Sequence, residues 1–218
     1  MTGVESAFLC IAAPLCAVLL LLKGREARRT CLFLLLGLCA CLTAAYCNGL
    51  LAQCFHSTLL EVTLYIAPVT EEALKLLPVL VLFLLRNPTE AQIQSAACMT
   101  GTGFAVFENC SYLCTSGADS VFSMLIRGFA AGIMHVVCAS VSGYVLSLIR
   151  RQHYQTTVSV IGIFSVVVTY HATYNLLVSV PGVPRTIGFL MPSVSVVLLL
   201  LLRWLFRNGH LTLPVCRE

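Results

Sequence analysis

Glu71 and Glu72, with Lys75 one turn on, lie inside an apolar run from about Leu59 to Leu85. A charge at mid-bilayer costs about 2.5–3.5 kcal/mol on insertion scales, so charged groups within a span usually face a protein interior or a wet cavity. The chain has few others in such positions: Glu108, Arg127, His135 and His171, accompanied by the amides Asn109 and Asn175. Glu61 falls at the outer end of its run and reads as solvated. Carboxylates and imidazoles gathered in one place suit acid–base work on water. Glu71 and Lys75 are four residues apart and can pair on one helical face; Phe104 and Glu108 share a face in the same way, as do His171 and Asn175.

The elements that must position these groups are apolar helices. Of 218 residues, 59% are hydrophobic and 10% charged, against about 25% charged in soluble domains. The expected fold class is therefore all-α: one integral membrane domain over 1–218, a polytopic transmembrane helical bundle. Seven spans are predicted, at roughly 7–22, 31–52, 59–85, 92–115, 121–149, 155–179 and 186–206. Drawn with the N-terminus outside and the C-terminus cytoplasmic, the cytoplasmic side receives Lys23, Arg25, Arg28, Arg29, Arg86, Arg150, Arg151, Arg203, Arg207 and Arg217. The outer side receives Arg185 alone. Basic residues dispersed over short loops give no surface for nucleic acid, and none is expected as a partner.

The unusual residues come from four consecutive spans, so 59–179 is expected to be a four-helix catalytic core, with 1–52 and 186–218 as peripheral spans and tail. At a rise of about 1.5 Å per residue, Glu71 and Glu72 lie about 18–20 Å from the outer end of their span, Glu108 about 10 Å, His135 about 21 Å and His171 about 12 Å. These depths overlap and allow one shared cavity. Pro68 and Pro78 flank the glutamates, and each removes a backbone hydrogen bond. Ala97, Gly101 and Ala105, with Gly128 and Gly132, predict close helix approach in the fourth and fifth spans. Spans one and two hold little that is polar beyond Thr43, Tyr46 and Asn48 and read as scaffold.

Ten of the twelve cysteines fall within spans, where Cys acts as a small hydrophobe, and no pair of CxxC units appears. The first residues carry Glu5 and no basic group, unlike the start of a cleavable signal peptide. Two other functions stay open on these residues alone. Intramembrane Glu, His, Lys and Arg also build the relays of proton-coupled transporters, and the same bundle without turnover would be a non-catalytic membrane binding protein.

The residues also resemble a known family. Glu71-Glu72-Ala73-Leu74-Lys75 matches the EExxK motif of PrsW-type intramembrane proteases, relatives of the CAAX prenyl endopeptidases. Phe104-Ala105-Val106-Phe107-Glu108-Asn109 is similar to their FxxxEN motif. His135 takes the place of the third motif's histidine, and His171-Ala172-Thr173-Tyr174-Asn175 resembles the fourth, HxxxN. Lys75 at the EExxK spacing, and Glu108 where the prenyl endopeptidases have histidine, place the likeness with PrsW. Two departures are Asn175 for the Asp of some members and the segment Gly24-Arg25-Glu26-Ala27-Arg28-Arg29, where an acidic, proline-containing one is common.

The resemblance implies an endopeptidase of the bacterial cell membrane, cutting a single-span or otherwise membrane-anchored substrate of the anti-sigma-factor type. The expected catalytic set is Glu71, Glu72, Glu108, His135 and His171, supported by Lys75, Asn175, Phe104, Asn109 and Arg127. Glu71 or Glu72 would act as general base, His135 or Glu108 would position the water, and His171 with Asn175 would donate to the oxyanion. No cofactor is expected. Zinc at the Glu/His cluster is possible but not favoured, because no HExxH-type spacing is present.

Overall fold

A computed structural model of the chain describes residues 3–116, 120–152 and 156–208. The tail beyond residue 208, with Arg217, lies outside them. The described residues are helical, with no strand among them. In order they form α1 (Gly3–Leu21), α2 (Arg25–Phe55), α3 (Leu59–Glu61), a π-helical turn (Val62–Ile66), α4 (Ala67–Leu85), α5 (Glu90–Ser116), α6 (Val121–Arg127), a second π-helical turn (Gly128–Gly132), α7 (Ile133–Gln152), α8 (Thr156–Ser179) and α9 (Val183–Arg207).

Five stretches are long and apolar enough to cross a membrane, where seven were expected: Gly3–Leu21, Arg25–Phe55, Val121–Arg151, Thr156–Ser179 and Val183–Leu205. The two that fall short both carry several polar groups. α4 carries Glu71, Glu72 and Lys75, and α5 carries Thr100, Thr102, Glu108 and Asn109 amid glutamines and serines.

α5 is the centre of the bundle, clamped between α2 and α7. A Cβ on Gly103 would stand 2.0 Å from the Leu34 carbonyl oxygen of α2, and one on Gly101 would stand 2.6 Å from Ala139 Cβ of α7. No side chain fits at either position. Gly128, expected on the same grounds, faces open space. The close approach of α2 makes it more than scaffold, because its C-terminal half lies against α4. Three apolar clusters fill the rest. Leu35, Leu38, Cys41, Phe104 and Phe107 join α2 to α5; Leu76, Val79, Phe83, Ile93, Leu146 and Ile149 join α4, α5 and α7; Met134, Cys138, Val167 and Tyr174 join α7 to α8. Eleven cysteines fall in the described residues and all are free thiols.

The π turn before α4 has a local cause. Ala67 donates its N–H to the Val62 carbonyl in the i→i+5 pattern. The next donor in that pattern is Pro68, which has no N–H. The Thr63 carbonyl is thereby orphaned at membrane depth, where an unsatisfied group is costly. Asn175 of α8 supplies the missing donor, its Nδ2 lying 2.9 Å from that oxygen. Upstream, Thr58 and Glu61 form a reciprocal capping box that starts α3 and holds Glu61 at the surface. Glu61 thus takes no part in the interior cluster.

Candidate metal and hydrolytic site

α4 divides its charged residues between two faces. Glu72 and Lys75 point into the bundle, each 2% exposed, and pair at 2.6 Å. The sequence expectation paired Lys75 with Glu71; both spacings are compatible with a helix, and the partners of Glu71 settle the choice. Asn48 of α2 donates from Nδ2 to Glu71 Oε1 at 3.4 Å and turns that carboxylate away from Lys75, towards the cavity.

A connected polar network joins five helical segments. Lys75 Nζ also lies 3.0 Å from His135 Nδ1. An ammonium has only donors, so Nδ1 accepts and the ring proton sits on Nε2. Nε2 in turn donates to Glu108 Oε2 at 2.6 Å, while Arg127 Nη2 donates to Glu108 Oε1 at 3.2 Å. Phe104 closes one side: its ring is 4.8 Å from the His135 ring, and Lys75 Nζ stands 5.0 Å from its centroid, within cation–π range. Arg127 is fixed similarly over Tyr112, 4.0 Å from the ring centroid. On the other side, His171 Nδ1 donates to Glu72 Oε1 at 2.8 Å.

This last bond leaves His171 Nε2 turned to the other carboxylate. It faces Glu71 Oε2 across 3.8 Å, and that oxygen is buried with no hydrogen-bond partner among the described residues. With Nδ1–H given to Glu72, a neutral His171 presents an acceptor at Nε2, and a cation between it and Glu71 Oε2 would satisfy both. Glu71, His135 and His171 each offer a ligand atom within 4.8 Å of one another. Imidazole nitrogen and carboxylate oxygen are zinc-type donors, and a histidine ligand that hands its other N–H to a carboxylate, as His171 does to Glu72, is the usual supporting arrangement. His135 is engaged at both nitrogens, by Lys75 and by Glu108, and would join the set only by giving up one of those contacts. The residues fit a divalent ion.

The cluster opens on a cavity of about 550 Å³, lined by Glu71, Glu108, Arg127, His135 and His171 and, nearer its rim, by Tyr112, Asn175 and Arg185. The side chain of Glu108 is 29% exposed, so this carboxylate is reachable from the cavity, whereas Glu72 is sealed behind Lys75. Asn175, expected as an oxyanion donor, gives one amide N–H to the Thr63 carbonyl and also lines the cavity. Asn109 is not among the cavity's lining residues: its Oδ1 is buried with no hydrogen-bond partner among the described residues and its Nδ2 faces Gly132. Sequence reasoning missed Asn48 and Arg185; the signal for Asn48 was a lone amide in an apolar helix, read as scaffold.

The family model described as PrsW family intramembrane metalloprotease matches residues 26–203. No match was found among curated proteins, and none among solved structures. The match overturns the expectation that no cofactor is required, since the family is one of metal-dependent enzymes. The reason for the miss is physical: an HExxH spacing reports two ligands on one helix, but these donors come from α4, α7 and α8 and no short motif can show them. A multi-pass membrane protein that hydrolyses membrane-protein substrates follows at family level. The match covers most of the sequence, and the chain belongs to the PrsW family of intramembrane metalloproteases.

Proposed function

We propose that the protein is a metal-dependent endopeptidase that cuts a membrane-anchored protein, of the anti-sigma-factor type, inside the cavity between α4, α7 and α8. The observation that carries this is the buried pair of facing acceptors, Glu71 Oε2 and His171 Nε2, with His135 beside them. Glu71, His135 and His171 would hold the ion. A divalent metal bound there supplies Lewis-acid polarisation of the scissile carbonyl and acidifies water.

The chain's own groups account for the remaining steps. Glu108, whose two oxygens accept from Arg127 and from His135 and which is reachable from the cavity, would be the general base through a remaining lone pair: it takes a proton from water as the water oxygen bonds to the carbonyl carbon. It then returns that proton to the departing amine as the C–N bond breaks. Glu72 does not touch the reacting atoms. Anchored by Lys75, it keeps the His171 proton on Nδ1 and the Nε2 lone pair turned to the cavity. Phe104 walls His135 on its apolar side, and Arg127 keeps Glu108 aligned.

The topology we propose has seven spans, α3 with α4 and α5 supplying the two that are less apolar, with the N-terminus outside and the C-terminus cytoplasmic in a bacterial cell membrane. The working unit is 1–218 as one integral domain with 59–179 as its catalytic core, to which α2 adds Asn48 and α9 adds Arg185. The second reading, a proton-coupled transporter, is disfavoured by the apolar cluster of Leu76, Val79, Phe83, Ile93 and Leu146 between the site and the opposite ends of α4, α5 and α7. A polar path through the bundle would have to cross it.

The test is reconstitution with tagged single-span membrane proteins, comparing wild type with Glu71→Gln and His171→Ala while recording proton flux. Cleavage by wild type alone, without flux, is the expected result; flux without cleavage would establish the transporter.

A further inference from the structure

Glu71 is the site's most exposed ligand candidate to misplacement, because it follows a π turn and a proline and has no partner on its own helix. What holds it comes from α2. Asn48 Nδ2 lies 3.4 Å from Glu71 Oε1, and Thr70 Oγ1 contacts Asn48 Oδ1. An amide has one donor end and one acceptor end. Asn48 turns Nδ2 towards Glu71 Oε1, and its Oδ1 accepts the Thr70 hydroxyl proton. The Thr70 hydroxyl therefore fixes which way the amide points. Asn48 occupies one oxygen of Glu71 and leaves the other, Oε2, buried, unpartnered and facing His171 Nε2 across 3.8 Å.

Asn48 reaches this position because α2 packs on α5 without intervening side chains: a Cβ on Gly37 would stand 2.1 Å from the Thr100 carbonyl oxygen, as one on Gly103 would from Leu34. The bundle's closest helix contact thus delivers a polar group to the site from a span that carries none of the motif residues.

We infer that Asn48, oriented by Thr70, is a positioning residue that holds Glu71 as a one-oxygen metal ligand. This rests on the metal-dependent reading above. Partners of this kind, behind a ligand, typically change metal affinity by 10- to 100-fold when removed. Without Asn48 the Glu71 carboxylate is free to rotate and to offer both oxygens, which weakens the site and raises the coordination number of the ion.

The experiment uses the full chain, purified in detergent, stripped of ions and titrated with Co(II), whose visible absorbance falls as its coordination number rises. The variants are Asn48→Leu, which keeps side-chain bulk and suits an apolar helix, and Thr70→Val, with Glu71→Gln as the ligand control. Asn48→Leu should weaken cobalt binding by about 10- to 100-fold and lower the absorbance per bound ion. Thr70→Val should give a smaller loss of about 3- to 10-fold, the size of one neutral hydrogen bond. Because Thr70 also contacts the Ile66 and Ala67 carbonyls, each at 3.1 Å, a Val there that folds normally and binds more weakly separates amide orientation from gross damage. Wild-type affinity and spectrum in both variants, with Glu71→Gln impaired, would overturn the role of Asn48 alone. No cobalt binding by wild type, or binding unaffected by Glu71→Gln, would overturn the metal-dependent reading and this inference with it.

Discussion

Glu71 and Glu72 are adjacent in the chain and sit in opposite environments. Glu72 faces the sealed interior, where Lys75 and His171 satisfy it and its side chain is 2% exposed. Glu71 faces the cavity, held at one oxygen by a distant helix and unpartnered at the other. The same contrast runs through the site: on the Glu72 side every charge has a short, direct partner, and on the Glu71 side ligand-type atoms converge. A buried carboxylate oxygen facing a neutral imidazole's lone pair would cost about 1–3 kcal/mol for each unmet polar group, and a bound cation would remove it. The sealed side makes the open side possible, because Glu72 sets the tautomer of His171 and Lys75 sets that of His135.

Substitutions on the two sides should separate activity from stability. The largest effect on the open side is expected from His171→Ala, which should lower cleavage by at least about a thousandfold, given that carbonyl polarisation by an ion is worth several kcal/mol and each 1.36 kcal/mol is a factor of ten in rate. Initial rates on a reconstituted single-span substrate measure it, and loss of activity without loss of the folded state keeps the two sides distinct. On the sealed side, Lys75→Met should cost about 3–5 kcal/mol of stability by stranding Glu72 as a buried charge, read as a lowered unfolding midpoint in detergent. The double variant Lys75→Met with Glu72→Gln should regain much of that loss; if it does not, the pair is not what Lys75 stabilises.

Smaller effects sharpen the helix contacts behind the comparison. Gly103→Ala should destabilise by about 1–3 kcal/mol, because the clash is with a backbone carbonyl that cannot swing aside. Asn175→Ala should cost about 0.6–1.7 kcal/mol, the range for a hydrogen bond between membrane helices. Both are measurable by thermal unfolding, and a fall in cleavage for Asn175→Ala beyond its stability loss would return that residue to the reacting atoms.

Much of the site was legible because charge cannot hide in an apolar run. Glu71, Glu72, Glu108, Arg127, His135 and His171 all stand out by type alone, and estimated depth was enough to gather them. What sequence could not resolve was orientation. Glu71 and Glu72 are each within helical reach of Lys75, and only Asn48, more than twenty positions away on α2, decides between them. Pro68 announced a disrupted helix but not that the backbone would slip into a π turn, nor that Asn175 would donate to Thr63. The family's metal was not expected because the candidate donors Glu71, His135 and His171 lie on three helices rather than at a spacing on one. Seven spans were drawn where five meet the apolar standard, since the polar residues that build the cavity lower the apolarity of the helices that carry them.

The central claim is that hydrolysis needs an ion held by Glu71, His135 and His171. The most direct measurement follows cleavage of a tagged single-span substrate in proteoliposomes before chelation, after chelation, and after zinc is restored. Cleavage that stops with the chelator and returns with zinc in wild type, but not in Glu71→Gln, is the predicted result. Cleavage that continues at the original rate after the protein has been shown to be free of metal would contradict the account.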